Sequence, residues 1–248
     1  LAVVETLDVG KPLREARGDV MGAARAFEYY AGVCDKLQGD TLPLGADHVA
    51  YTVLEPIGVC AQIVPWNYPI STTARGLAPA LAAGCTVIVK PAETTPFTAL
   101  LLAQILAEAG LPRGVCNVVT GTGAAVGAPL VGHPGIDHVT FTGSVATGIG
   151  VMQRAAVNVT SVVLELGGKS PVVVLADADL DIALDNVLGA ICENAGQICS
   201  AGSRLVIARA VHDAFVARLA ARMRGLRLSS VTPASNAARA PSLQVATN

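Results

Sequence analysis

The chain has 248 residues, 52% of them hydrophobic and only 15% charged, with a formal net charge of −2 at pH 7. That length suits one large domain or two smaller ones with well-buried cores, and the near-neutral charge argues against a nucleic-acid or anionic-membrane partner. No stretch has the long uncharged run of a transmembrane helix. The start, Leu1 to Gly10, carries acids where a leader would carry basic residues, and a first residue that is Leu reads as a fragment or a processed start. Six cysteines (34, 60, 85, 116, 192 and 199) form no C-x-x-C pair, and the four histidines are as dispersed. Neither a disulfide framework nor a metal site is predicted, and a reducing, cytoplasmic setting is expected.

In chain order, Asp19 to Leu37 is predicted as an amphipathic helix, with Val20, Ala23, Ala24, Phe27, Tyr30 and Ala31 on one face and Asp19 as its N-cap. Residues 39–56 read as polar turns and strand, an exposed hairpin. Ile57 to Val64 and Cys85 to Lys90 are apolar strands, joined by a helix over Thr72 to Ala83 that Gly84 closes. The helix Phe97 to Ala109 has Thr94 or Thr95 as its cap, Pro96 at its start, and Gly110 and Pro112 as its stop. Strands follow at Val115 to Val119, His138 to Phe141 and Val162 to Leu166, with a helical stretch at Ala124 to Val131. Continuous apolar strands alternating with helices predict an α/β fold, a parallel sheet covered on both faces. After Gly167-Gly168 a second unit begins: strand Pro171 to Leu175, helix Leu180 to Asn194, strand Arg204 to Ala208 and helix Asp213 to Arg224. The expected organisation is a Rossmann-like cofactor domain over 1–166 and the incomplete start of an α/β catalytic domain over 167–228. From Ser229 to Asn248 periodicity disappears, and a disordered tail is expected.

Three stretches carry chemistry. Asn194-Ala195-Gly196-Gln197-Ile198-Cys199-Ser200 presents a thiol among small residues at the end of a helical pattern. Glu165-Leu166-Gly167-Gly168-Lys169-Ser170-Pro171 presents a carboxylate at a strand end before two glycines. Val64-Pro65-Trp66-Asn67-Tyr68-Pro69 offers an amide between a strand and a helix. Singly, each has a plainer reading: a small packed hydrophobe for the cysteine, a solvated turn acid for the glutamate. Together and in this order they resemble the aldehyde dehydrogenase superfamily, from Glu5-Thr6-Leu7-Asp8 to about Leu228. About half of a family member is represented, and a truncation at both ends is expected.

The resemblance implies that Cys199 is the nucleophile, that Asn67 and the Cys199 N–H stabilise the oxyanion, and that Glu165 activates water against a thioester. Cys192, seven residues earlier, is the competing thiol and reads as an ordinary packed cysteine. Lys90-Pro91-Ala92-Glu93 resembles the motif whose Lys and Glu hold the adenosine ribose; Lys90 is thereby carried into the catalytic set. Glu93 would repel a 2′-phosphate and favours NAD over NADP, its plainer alternative being a solvated acid leading a helix. Phe141-Thr142-Gly143-Ser144 opens a helix suited to a pyrophosphate. Gly121-Thr122-Gly123-Ala124-Ala125-Val126-Gly127 has one residue too many for the G-x-G-x-x-G fingerprint; the resemblance instead puts Gly123 and Gly127 beside the adenine. Ile63, Val64, Pro65, Trp66, Leu166 and Gly167 complete the cofactor set. Tyr68, Ser71, Thr72, Arg75, Ile198 and Ser200 match the aldehyde tunnel, with Arg75 read as reaching solvent.

The function expected from the resemblance is NAD(P)+-dependent oxidation of an aldehyde to an acid through a cysteine thiohemiacetal and thioester, with residues 39–56 serving a homo-oligomer of the full-length parent. The rival readings are a non-catalytic nucleotide-binding remnant and a cofactor-independent thiol esterase. The family's later motif for the nicotinamide ribose has no counterpart here, so the 248 residues alone are expected to be inactive or poorly active.

Overall fold

The computed structural model describes residues 1–227 and 244–247. Two helices open the chain, α1 (Ala2–Val9) and α2 (Leu13–Ala31). The first was not legible: AVVETLDV is rich in β-branched residues, and its helix is held by tertiary contacts. Glu5 accepts a hydrogen bond from the Thr98 hydroxyl at 2.7 Å, and Asp8 accepts one from the Phe97 N–H at 3.2 Å. The second helix corrects the expected start at Asp19. It begins six residues earlier, directly after Pro12, and Asp19 is no cap; its carboxylate is drawn instead to the Lys11 ammonium at 2.5 Å.

A short antiparallel pair, β1 (Thr41–Leu42) and β2 (Ala50–Tyr51), forms the projecting hairpin. Then come β3 (Val59–Ile63), α3 (Pro69–Ala82), β4 (Thr86–Lys90), α4 (Phe97–Glu108), β5 (Cys116–Val118), a π turn (Gly123–Gly127) leading into α5 (Ala128–Val131), β6 (His138–Gly143), α6 (Val145–Ala155) and β7 (Ser161–Leu166). Neither Thr94 nor Thr95 caps α4. Pro96 precedes it, and Asp8 of α1 satisfies its first free N–H across the fold.

The five long strands make one parallel sheet in the order β5-β4-β3-β6-β7. The period-two alternation of β3 divides the core between the two faces. Cys60 packs with Val87, Val89, Ile70 and Leu77 on one face, while Ala61 packs with Val139, Phe141 and Val151 on the other. Each fully buried Val, Leu or Ile contributes roughly 1.5–3 kcal/mol, so the central strand is fixed from both sides. Gln62 is the polar exception on β3. It is buried, and its Nε2 donates to the carbonyls of Thr72 and Thr73 on α3 at 2.7 and 3.3 Å. Gly76 leaves it the room, since a Cβ there would stand 2.1 Å from that nitrogen. Strand order reverses direction between β3 and β6, and the crevice beyond their carboxyl ends is where such sheets bind ligands.

The second unit holds β8 (Pro171–Val174), α7 (Leu180–Cys192), β9 (Arg204–Ile207) and α8 (Arg209–Arg224), with Leu184, Val187, Leu205, Ile207, Phe215 and Leu219 buried between its helices and sheet. α7 is shorter than expected: it ends at Cys192, and a 3-10 turn over Glu193–Gly196 follows. Most of the expected disordered tail lies outside the described residues. Within it, β10 (Gln244–Thr247) departs from the expectation by pairing in parallel with β9, giving a three-stranded sheet in the order β10-β9-β8. No helix among the described residues is long and apolar enough to cross a membrane.

Candidate active site

Four strands of the first sheet deliver site residues at their carboxyl ends: Ile63 on β3, Lys90 on β4, Phe141 to Gly143 on β6, and Glu165 and Leu166 on β7. Ladder pairing puts Ile63 beside both Lys90 and Phe141, and Thr142 beside Glu165. The next residue of the first segment, Val64, is buried and continues the ladder by donating its N–H to the Lys90 carbonyl at 3.0 Å. Half-buried Pro65, Trp66 and Asn67 then turn the chain into α3.

Lys90 is 3% exposed, and its ammonium lies 3.1 Å from the Glu93 carboxylate, which is half-exposed in the turn after Ala92. The Glu93 carboxyl is held below the usual carboxylate range by its own backbone N–H and by Lys90, so it is an anion at neutral pH.

Across the β3–β6 switch lies an apolar cavity of about 190 Å³, lined by Ile63, Gly123, Gly127, Phe141, Gly150 and Val151 among others. Side chains at Gly123, Gly127 or Gly150 would meet open space. Gly143 is needed for a different reason: a Cβ there would stand 2.5 Å from the Phe141 ring. Beside the cavity, Ser144 caps α6; its hydroxyl accepts the Thr147 N–H at 3.2 Å, leaving the first helical N–H groups to the crevice. The α6 contribution, from Thr147, Gly150, Val151 and Arg154, was missed in the sequence; an unexplained glycine in a helical pattern was its only signal.

The second unit meets the first at the thiol. Cys199 is exposed in a turn after the 3-10 segment, and Cys192 is half-buried. The Asn67 amide donates to the Gln197 carbonyl at 2.6 Å, bringing the β3–α3 junction against the segment that carries Cys199. An Asn amide has two hydrogens, so a second remains for another acceptor. Asn194, buried to 1% exposure, donates from its side chain to the Asn67 carbonyl at 2.9 Å and the Gln197 carbonyl at 3.1 Å. Its part in joining the two segments was also missed, because the contact with Asn67 spans 127 residues and leaves no local pattern.

Gly168 also approaches the turn that carries Cys199: a Cβ on it would stand 3.7 Å from the Cys199 carbonyl. Glu165, three residues upstream, is exposed and makes no side-chain hydrogen bond or ion pair among the described residues. Gly167 is exposed beside it. Of the tunnel candidates, Tyr68, Ser71, Thr72 and Ile198 are half-buried, whereas Ser200 and Arg75 are exposed. Burial raises the Tyr68 phenol well above its ordinary value, with the nearby Glu193, Asp19 and Glu15 carboxylates and Cys199 adding to the rise. Among the described residues no group of three or more His, Cys, Asp or Glu side chains is placed to hold a metal ion.

The thiols differ in a testable way. Burial pushes Cys192 and Cys116 up, and burial together with neighbouring Cys85 pushes Cys60 up to about 12. Since the thiolate is the reactive form, iodoacetamide at neutral pH should modify exposed Cys199 and Cys34 first. Cys192 and Cys116 should follow only as pH rises through their elevated values, and Cys60 last. Peptide mass spectrometry over a time course reads the order; modification of Cys192 ahead of Cys199 would contradict it.

Comparison with known proteins comes to the same place. The model of the family described as aldehyde dehydrogenase matches residues 1–240. A betaine aldehyde dehydrogenase of Bacillus subtilis is 46% identical over 232 residues, covering 93% of this chain and 47% of that protein. Betaine aldehyde dehydrogenase 1 of Oryza sativa is 46% identical over 234 residues, covering 92% of this chain and 46% of its own length. Among solved structures, the NAD+ complex of betaine aldehyde dehydrogenase from Staphylococcus aureus superposes with a TM-score of 0.90 at 40% identity, covering 94% of this chain and 46% of that one. The NAD+ complex of a Bacillus cereus aldehyde dehydrogenase gives 0.90 at 42% identity, with 93% and 47% covered. The chain thus spans about half the length of the curated relatives it matches.

Proposed function

The chain belongs to the aldehyde dehydrogenase family, and on that premise we propose that the intact protein oxidises an aldehyde to a carboxylic acid with NAD+, using Cys199 as nucleophile. The observation that carries this reading is the Asn67–Gln197 hydrogen bond at 2.6 Å, which holds an amide donor against the nucleophile turn. The Cys199 thiolate attacks the carbonyl carbon, forming a C–S bond, and the carbonyl oxygen becomes an oxyanion. The free hydrogen of the Asn67 amide and the Cys199 N–H receive that charge, donors fixed before the reaction begins. When bound, NAD+ supplies the hydride acceptor that turns this thiohemiacetal into a thioester. Glu165 then takes a proton from water, which attacks the thioester carbon and releases the acid and the Cys199 thiolate. Its carboxylate, exposed at the end of β7 and without a side-chain partner among the described residues, suits that task, and Gly167 and Gly168 leave the backbone free to adjust.

The residues present fit the cofactor. The cavity of about 190 Å³ has the apolar lining an adenine takes, and Gly123 and Gly127 keep it open. Lys90 and Glu93 would hold the ribose hydroxyls, with Ala92 between them. Phe141, Thr142, Gly143 and Ser144 would lead the pyrophosphate to the start of α6. Ile63, Val64, Pro65 and Trp66 form the wall between the ribose and Asn67; Leu166 and Gly167 lie toward the nicotinamide end with Glu165. We assign residues 1–166 to the cofactor domain and 167–228 to part of the catalytic domain. Turnover by the 248 residues in isolation is expected to be poor, since Val173 of the second sheet and Leu175 just after β8 each stand 60% exposed. On the 39–56 hairpin, Leu44, Val49, Val53 and Leu54 are exposed, which supports its use in a homo-oligomer.

The cofactor preference provides a test. Replacing Glu93 with Ser removes the anion, and NAD+ affinity should fall by about tenfold, or about 1.4 kcal/mol, while NADP+ affinity rises. Calorimetric titration of both cofactors reads the switch. An unmodified protein that already binds NADP+ as tightly as NAD+ would remove Glu93 from its assigned role. Ester hydrolysis by Cys199 that ignores NAD+, without aldehyde oxidation, would favour the thiol-esterase reading.

A further inference from the structure

The turn that carries the nucleophile is bent in a way its residues resist. Asn194 and Ala195 lie in the left-handed region, with φ of 50° and 56°, where side chains with a Cβ are disfavoured. Such a pair persists only when its surroundings hold it. Part of that hold comes from the Asn194 side chain, which bridges the carbonyls of Asn67 and Gln197, and from the Gln197 amide, which donates to the Asn194 carbonyl at 3.0 Å. The rest comes from far away in the chain. The Asn194 N–H donates to Oε2 of Glu15 at 2.6 Å, a short bond to a carboxylate across 179 residues of sequence.

Glu15 sits in the first turn of α2, and that end of the helix is itself anchored. Lys11, with its side chain fully buried, reaches Asp19 at 2.5 Å and Glu5 at 3.5 Å, and its ammonium lies 4.0 Å over the Tyr68 ring. The N-terminal segment therefore touches both halves of the reactive centre: Lys11, between the two helices, contacts the residue after Asn67, and Glu15 of α2 contacts the turn before Cys199. We propose that Glu15 is a positioning residue for Cys199, its carboxylate fixing the left-handed Asn194-Ala195 turn and so setting where the thiol stands relative to the Asn67 amide. This rests on Cys199 being the nucleophile, and it adds a role for a carboxylate that takes no part in the chemical steps.

The test uses thiol reactivity and needs neither aldehyde nor cofactor, so it succeeds or fails independently of turnover. In the full chain, the limiting rate of Cys199 alkylation by iodoacetamide is measured by peptide mass spectrometry across the pH range in which the thiol ionises, relative to Cys34 in the same sample. Glu15→Ala removes the acceptor, Glu15→Asp keeps the charge but falls short, and Glu15→Gln keeps both reach and an acceptor oxygen. Alanine and aspartate should each shift the Cys199/Cys34 ratio by about fivefold or more, because the thiol's access and surroundings set its reactivity, and glutamine should restore it. Should the alanine variant fail to fold, the aspartate variant carries the same comparison. A ratio unchanged by aspartate, or one shifted as much by glutamine as by aspartate, overturns the assignment; a purely structural role would instead speed Cys60 and Cys85 in the core in parallel.

Discussion

Cys199→Ala in the intact protein is expected to abolish aldehyde oxidation, while Cys192→Ala leaves most of it. The two thiols sit seven residues apart and differ in surroundings. Cys192 closes α7, is half-buried, and has its thiol pushed up by that burial. Cys199 stands exposed in a turn that Asn67 contacts through Gln197. Removing a nucleophile takes away the covalent route altogether, and losses of about 10⁴-fold to 10⁶-fold are on the order seen when catalytic units of this kind are broken. NAD+ binding should survive, because Lys90, Glu93 and the glycine-lined cavity do not touch the thiol. Steady-state NADH formation reads the result, with cofactor titration as the control for folding. Substantial turnover by the Cys199 variant would sink the mechanism.

Lys11→Met is expected to cost about 3–5 kcal/mol of stability, the range for removing one partner of a buried ion pair. Lys11 is 1% exposed and Glu5 is fully buried, so the substitution strands the Glu5 carboxylate among Thr98, Ile70 and the first turn of α3 with its counter-charge gone. Burial already raises Glu5 above its ordinary 4.5, with the Thr98 hydroxyl and Lys11 pulling it back down. A carboxyl whose folded value lies above its unfolded one favours folding most below the unfolded value, and that contribution is lost as pH rises through the folded value. Removing Lys11 raises the folded value further. The deficit of the variant should therefore be largest at neutral pH and narrow as pH falls toward 4.5. Urea unfolding at several pH values measures it; a deficit below about 1 kcal/mol at neutral pH, the range of an exposed pair, would show that the cluster is not buried as described.

The sheet was legible because its strands are apolar runs punctuated by glycine and proline, and burial on both faces leaves such runs little alternative. The N-terminal helices were not. α1 lacks the propensity to stand alone, and the start of α2 is set by Pro12 and by tertiary ion pairs, so local capping rules point to Asp19, which lies inside the helix. The missing cap of α4 has the same cause, a carboxylate supplied by α1. At the candidate site, Cys199, Glu165, Asn67 and the Lys90–Glu93 pair could be singled out because each lies in a long local motif. The clamp that ties Asn194 to Glu15 and to Asn67 joins residues far apart in sequence, and single residues of ordinary type carry no trace of such a contact.

The central claim is that Cys199 forms the bond to substrate and Glu165 resolves it. It is tested most directly by trapping the intermediate. In the intact protein with Glu165→Gln, aldehyde and NAD+ should produce one equivalent of NADH and then stall. Mass spectrometry should find the acyl group of that aldehyde as a thioester on the Cys199 peptide, absent when NAD+ is omitted. Continued turnover with no adduct, or an acyl group on Cys192 or any other residue, would contradict the account.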